Sequence, residues 1–224
     1  MSSYKILYAI YGASGFGRGV MPLARKQLSH LAKPDYELVF IDDGGSSPLI
    51  NGHKVYNFEE FINLAAQEKY VTVAIANSKI REKLVLKLDL LGIKPWSVYA
   101  DTTIMMDEVN IGEGAVLCNH VHFTSNIQIG KYFHANYFSY VAHDCVIGDY
   151  VTFAPGVKCN GNIHIEDHAY IGAGAVIKQG MPDKPLVIGK GAVVGIGAVV
   201  TQSVPPGVTV VGNPARILEK KVSF

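Results

Sequence analysis

Isoleucine recurs every eighteen residues, at 111, 129, 147 and 165, and glycine follows the first three. A six-residue subdivision between them carries Leu117, Phe123, Ala135, Val141, Phe153, Cys159, Ile171 and Ile177. Four residues into each hexad falls a second inward position, running from Ala115, Val121 and Ile127 through Ser139 and Cys145 to Ala169 and Ala175. Period six is neither the 3.6 of an α-helix nor the 2 of a simple strand. It fits a parallel β-helix, in which three short strands and three turns make one coil of about 18 residues. The phase breaks at Gln179-Gly-Met-Pro-Asp-Lys-Pro185 and resumes at Ile188-Gly189, which predicts a loop pushed out of the coil. Pro205-Pro206-Gly207 ends the pattern, and the stretch from Val208 to Arg216 is expected to cap it, because an unfinished coil exposes strand edges.

The N-terminal pattern is different. Lys5–Tyr11 is a near-continuous apolar run, as expected of a strand buried on both faces. A helical pattern follows through Val20, Leu23, Ala24, Leu28 and Leu31, then a second buried strand, Leu38–Ile41. A helix through Phe58, Phe61, Ile62 and Ala65, a strand Val71–Ala76, and a helix with Ile80, Leu84, Leu88 and Leu91 complete the unit, with Ser78 as candidate N-cap. The order βαβαβα predicts a parallel, Rossmann-like sheet. Two domains are therefore expected: 1–97, α/β, and 98–224, β-helix with a terminal cap.

Lys and Arg number 20 against 19 Asp and Glu, so no whole-chain field favours nucleic acid or an anionic membrane. Cys118, Cys145 and Cys159 are odd in number and form no CxxC, which argues against a disulfide framework. No apolar run approaches the roughly 20 residues of a membrane span, and no signal-peptide core is visible. A cytoplasmic protein is expected.

Two stretches carry chemistry. Gly12-Ala-Ser14-Gly15-Phe16-Gly17 lies between a buried strand and a helix, where backbone N–H groups can approach a pyrophosphate. It departs from G-x-G-x-x-G, and an ordinary βα turn is the competing reading. Asp42, at the end of the next strand, stands where a carboxylate can reach a ribose or base. In the repeat, His143 has Ser125 and Gly161 one coil to either side, small residues that leave room for a ligand beside the ring. A neutral imidazole can take the proton of an attacking amine. Asp144 can orient that ring only if a corner turns both side chains together, since neighbours in a strand point oppositely. The other histidines of the repeat, His120, His122, His134, His164 and His168, do not stack at eighteen-residue spacing, so no metal is expected within a chain.

Tyr11-Gly-Ala-Ser-Gly15, Ile41-Asp-Asp43, Ala74-Ile-Ala-Asn77, Val141-Ala-His-Asp-Cys-Val-Ile-Gly148, Lys158-Cys-Asn-Gly161 and Val211-Gly-Asn-Pro-Ala-Arg216 occur in that order. In this the chain resembles bacterial nucleotide-sugar acyltransferases of the left-handed β-helix type, and within them the sialic-acid/bacillosamine group. The resemblance implies a left-handed coil, a homotrimer, and acetyl-CoA as co-substrate in the groove between subunits. It implies N-acetylation of a UDP-4-amino-4,6-dideoxy sugar, with His143 as base and Asp144 as its partner. For the nucleotide sugar it points to Gly12, Ser14, Gly15, Phe16, Asp42 and Asp43, with Ala76, Asn77 and Arg81 at the rim. For acetyl-CoA it points to Asn136, Gly161, Gly172, Ala173, Gly197 and Ala198, with Arg216 on a phosphate. Thr152 belongs to the same set, but it stands where some members carry a second histidine facing the acetyl carbonyl. The alternatives are a GDP- or dTDP-amino sugar as acceptor, O-acetylation of a sialic acid, a γ-carbonic-anhydrase-like zinc protein, and a scaffold without activity.

Overall fold

The computed structural model describes residues 4–30, 36–45 and 47–219. Leu31, expected on the first helix, lies outside them. The chain divides into two compact units, Met1–Asp101 with Glu113–Val116, and Thr102–Gly112 with Leu117–Phe224.

The first unit runs β1 (Tyr4–Tyr11), α1 (Gly15–Leu28), β2 (Tyr36–Ile41), β3 (Leu49–Ile50), β4 (His53–Tyr56), α2 (Phe58–Asn63), β5 (Ala66–Val73), α3 (Ser78–Leu90) and β6 (Lys94–Pro95). Its sheet has the order β3-β4-β2-β1-β5-β6. β1 is central, and Ala9, Ile10, Val39 and Phe40 are fully buried. All pairings are parallel except β3 with β4. That hairpin departs from the expected all-parallel order. Its cause is Asn51-Gly52, both at positive φ, the dipeptide that a tight hairpin turn prefers. β5 starts five residues before Val71 and stops at Val73, and α2 ends at Asn63, short of Ala65. The N-cap of α3 is Asn77, whose side chain accepts from the N–H groups of Lys79 and Ile80; Ser78 is already inside the helix.

The second unit is the β-helix. One face stacks Ile104–Met105, His122–Phe123, Tyr140–Val141, Lys158–Cys159, Val176–Ile177 and Val199–Val200. A second stacks Val109–Ile111, Ile127–Ile129, Cys145–Ile147, Ile163–Ile165 and Leu186–Ile188. The third includes His134–Ala135, Thr152–Phe153, Tyr170–Ile171, Val193–Val194 and Thr209–Val211. Registers repeat at eighteen residues, as in Ile129 with Ile147 and Val141 with Cys159. Every hexad position expected inward is buried except Ile111, which is half-buried. The first rung on its face is Ile104–Met105, which pairs with His122–Phe123. The coil outlasts Pro205-Pro206-Gly207, because Thr209–Val211 adds a parallel rung before Arg216–Ile217 folds back antiparallel over it. The extruded loop is closed by two backbone hydrogen bonds of 3.0 Å between Met181 and Lys184.

Most corners are turned by a residue at positive φ. Asn126, Asp144 and Asn162 serve one corner; His120, Phe138, Gly156, Gly174 and Gly197 the second; Tyr132, Tyr150, His168 and Gly191 the third. At the third corner the rings of Tyr132, Tyr150 and His168 stack at 5.3 and 5.2 Å. Coils approach too closely for a side chain at some glycines. A Cβ on Gly148 would stand 2.5 Å from Asp167 Oδ1 and 2.7 Å from the Asp167 amide nitrogen. Gly148→Ala is therefore expected to destabilise by about 1–3 kcal/mol through overpacking. Urea unfolding checks this, and a wild-type midpoint for the variant would refute the close-stacking account.

Candidate functional site

His143 and Asp144 occupy the first corner. Asp144 has φ of 57°, which rotates its side chain out of strand alternation and back towards its neighbour. The His143 Nδ1 to Asp144 Oδ2 distance is 2.7 Å, and the two side chains are 46% and 49% exposed. The ring therefore stands outside the coil, open to a ligand. The imidazole contact, supported by a 3.2 Å hydrogen bond from Asn126 Nδ2 to Asp144 Oδ1, holds the Asp144 carboxyl below the ordinary carboxylate range. With Asp144 on Nδ1, the other nitrogen, Nε2, is left to face a reactant.

The ring occupies the space beside Gly161 that a side chain would fill. A Cβ there would come within 2.5 Å of both Cε1 and Nε2 of His143. Beneath the corner, Cys145 Sγ donates to the Asn160 carbonyl at 3.2 Å and to the His143 carbonyl at 3.6 Å. Cys118, Cys145 and Cys159 are all buried free thiols, and burial pushes Cys118 up to about 12.

The residues assigned to acetyl-CoA fall in several places. Gly161 is beside His143, whereas Asn136, Gly172, Ala173 and Gly197 gather near the second corner. Asn136 Nδ2 donates to the Phe153 carbonyl at 2.9 Å. Gly172 is needed for stacking, since a Cβ would meet the Val194 carbonyl oxygen at 2.7 Å. Ala198 points into the core and is fully buried, so only its backbone can meet a ligand. Thr152 is 3% exposed, in register between His134 and Tyr170, and Arg216 is exposed in the terminal hairpin.

In the first unit, β1 passes into α1 through a tight turn. Gly12 has φ of 109°, and a Cβ on Gly17 would stand 1.7 Å from the Gly12 carbonyl oxygen. Ser14 is the N-cap of α1 but makes no side-chain cap bond, and the first turn contains no acidic residue. Ser14 and Gly15 are exposed and Phe16 half-exposed, so the positive end of a 14-residue helix faces outward. Arg18 adds a cation in that turn, with Nη1 3.3 Å from the Ala13 carbonyl. Sequence reasoning passed over Arg18 and Asn126. Their signals were a basic residue where helices favour acids, and an amide one coil below Asp144.

Asp42 and Asp43 are engaged within the fold. Asp42 accepts from the N–H of Ala13 at 2.9 Å and of Gly44 at 2.8 Å. Asp43 accepts from the Phe58 N–H at 2.8 Å and the Tyr11 hydroxyl at 2.5 Å. Burial, with the Asp43 hydrogen bond, pushes the Tyr11 phenol well above its usual value. The pair ties the ends of β1, β2 and α2 together. Arg81, expected at the rim, is fully buried: Nη1 holds the carbonyls of Ile75 at 2.7 Å and Ala76 at 3.3 Å. It braces the turn after β5 while Ala76 and Asn77 remain exposed. Among the described residues no group of three or more His, Cys, Asp or Glu could hold a metal ion, and no helix is long and apolar enough to cross a membrane.

Residues 8–88 match the family described as the PglD N-terminal domain. Over 214 residues, the chain is 49% identical to the GDP-perosamine N-acetyltransferase of Escherichia coli O157:H7, covering 96% of this chain and 97% of that one. Among solved structures it is similar to WeeI from Acinetobacter baumannii AYE, with 64% identity and a TM-score of 0.91 over 95% of this chain and 100% of the other. It is also similar to the acetyltransferase domain of PglB from Neisseria gonorrhoeae FA1090 in complex with acetyl coenzyme A. There the identity is 27% and the TM-score 0.81, over 97% and 100% of the two chains.

Gly161 does not need positive φ, and the three atoms nearest to an added Cβ all belong to the imidazole of His143. Gly161→Ala is thus expected to keep its stability within about 0.5 kcal/mol while lifting the ring off its seat. Thermal melting together with imidazole NMR shifts checks this; an undisturbed ring would contradict the seating.

Proposed function

We propose, for a chain that belongs to the PglD-type family of nucleotide-sugar N-acetyltransferases with a hexapeptide β-helix, that the acceptor is the 4-amino group of a GDP-linked 4-amino-4,6-dideoxy sugar. Acetyl-CoA is the donor, and the product enters glycan synthesis in the cytoplasm. The observation that carries the chemistry is the exposed imidazole of His143, held at Nδ1 by Asp144 and seated on Gly161. The neutral amine attacks the thioester carbonyl, and a C–N bond forms as Nε2 takes the amine proton. The tetrahedral intermediate collapses, the C–S bond breaks, and the CoA thiolate leaves and receives that proton. Proton acceptance at this step is worth about 10²–10⁴-fold in rate. Asp144 stabilises the transient imidazolium without accepting its proton.

The first unit is assigned the nucleotide diphosphate, with the N-terminus of α1, Ser14, Gly15, Phe16 and Arg18 as the anion site. The guanosine reading is supported by the 49% identical relative, whose name gives GDP-perosamine as its acceptor. A uridine acceptor is the second reading. It is favoured by the motif resemblance through Asp42 and Asp43. Both aspartates are internally bonded, so base selection falls to the backbone they shape more than to free carboxylate oxygens.

The working form is proposed to be a homotrimer. His143 and Asp144 lie at one corner of the β-helix, while Asn136, Gly172, Ala173 and Gly197 gather at another, where Phe138 and Ile196 are 64% and 83% exposed. Packing the first corner of one copy against the second corner of the next would cover that apolar surface and bring the two residue sets together. Pantetheine would lie between them, and Arg216 would meet a CoA phosphate.

Thiol release from acetyl-CoA should be measured with GDP-, UDP- and dTDP-4-amino-4,6-dideoxy sugars. The GDP sugar is expected to turn over fastest; rapid turnover of the UDP sugar with an idle GDP sugar would replace the guanosine reading. His143→Ala should lose at least about a hundredfold in kcat while its mass in solution stays trimeric. Retained activity would remove the base.

A further inference from the structure

We propose that Asn160 is a positioning residue for His143, locked in place by the Tyr140 hydroxyl. The proposal rests on His143 being the base, as argued above. The imidazole has no side chain beneath it. Its seat is the backbone of Gly161, close enough that a single added carbon would collide with Cε1 and Nε2 at 2.5 Å. The height and tilt of that seat set where Nε2 stands. The residue immediately before it, Asn160, is held at three points. Its Nδ2 donates to the Ile177 carbonyl, one coil on, at 2.7 Å. Its Oδ1 accepts a short hydrogen bond from the Tyr140 hydroxyl, one coil back. Its carbonyl accepts from Cys145 Sγ at 3.2 Å.

Tyr140 is itself constrained. It sits in register with Lys158, whose Nζ lies 5.6 Å over its ring, and its hydroxyl is 20 residues from Asn160 in sequence. The clamp therefore ties three consecutive coils to one point directly beside the seat. Half-burial of Tyr140 and Asn160 protects these bonds from competing water, so they constrain more than exposed bonds would. On the opposite side, the His143 carbonyl accepts from the Asn162 N–H at 3.0 Å and from Cys145 Sγ. The single S–H of Cys145 is shared between the carbonyls of the clamped residue at 3.2 Å and the base at 3.6 Å, a weak link between them. Coil stacking alone does not require a Tyr–Asn pair. The same rung is already joined through its backbone, by Ala142 N–H to the Cys159 carbonyl at 2.8 Å.

An ångström of misplacement at a reacting group can cost about 10²-fold. Asn160→Ala is therefore expected to lower kcat by about 10–100-fold, with KM for acetyl-CoA and for the nucleotide sugar unchanged within about twofold. Tyr140→Phe, which removes one oxygen and leaves the ring, should lower kcat by a smaller factor. The two substitutions combined should be no worse than Asn160→Ala alone, because they break one shared bond. The decisive arm repeats both substitutions in a His143→Ala background, where neither should change the residual rate. The proposal is overturned if Asn160→Ala keeps wild-type kcat, if the loss appears in KM, or if the same fold-loss persists without His143. A His143→Ala enzyme of full activity would instead fail the base assignment, and this inference with it.

Discussion

One conformational device organises the β-helix: at most of its corners, one residue takes positive φ. For an L-residue this costs roughly 1–2 kcal/mol. The chain places glycine at some of these corners and Asn, Asp, His, Tyr or Phe at others. The non-glycine corners are where side chains are thrown outward and stacked on their counterparts one coil away. The Tyr132–Tyr150–His168 ladder uses that geometry for packing. At the corner of Asp144 the same rotation that turns the chain aims a carboxylate at the preceding imidazole.

That corner joins several small effects into one arrangement. Gly161 contributes by having no side chain, which lets the ring lie against the backbone. Asn126 contributes an amide to the far oxygen of Asp144. Cys145, an inward-pointing core residue by period, contributes a weak donor to the carbonyls on either side of the seat. None of these residues acts alone. Together they hold an exposed histidine in one orientation, which is what the proposed base would need to meet an amine at hydrogen-bond distance.

The N-terminal unit shows how charged residues near a proposed ligand site can be consumed by the fold. Asp42 and Asp43 satisfy N–H groups at the ends of three elements that would otherwise lack partners. Arg81 is buried against carbonyls of the turn after β5 for the same reason. What stays open to a ligand is mostly backbone: the start of α1 with Ser14, Gly15 and Phe16, and Arg18 beside it. A site built from amides and one guanidinium suits a diphosphate better than it distinguishes one base from another.

The eighteen-residue period showed the β-helix, its inward residues and its extruded loop, because coil stacking leaves a periodic trace in the chain. The apolar runs showed the parallel core of the first unit, and the His-Asp pair with small residues one coil away marked the candidate base. Asn51-Gly52 carried a hairpin signal that the coarse βαβ pattern concealed. Other features depend on contacts between residues far apart in sequence, and no local pattern encodes them. The sign of φ at Asp144, the burial of Arg81, the internal bonds of Asp42 and Asp43, and the Tyr140–Asn160 clamp are of this kind. Sequence spacing states which residues lie one coil apart; only the folded backbone decides which way their side chains face and whether a polar group is spent on the protein or left for a ligand.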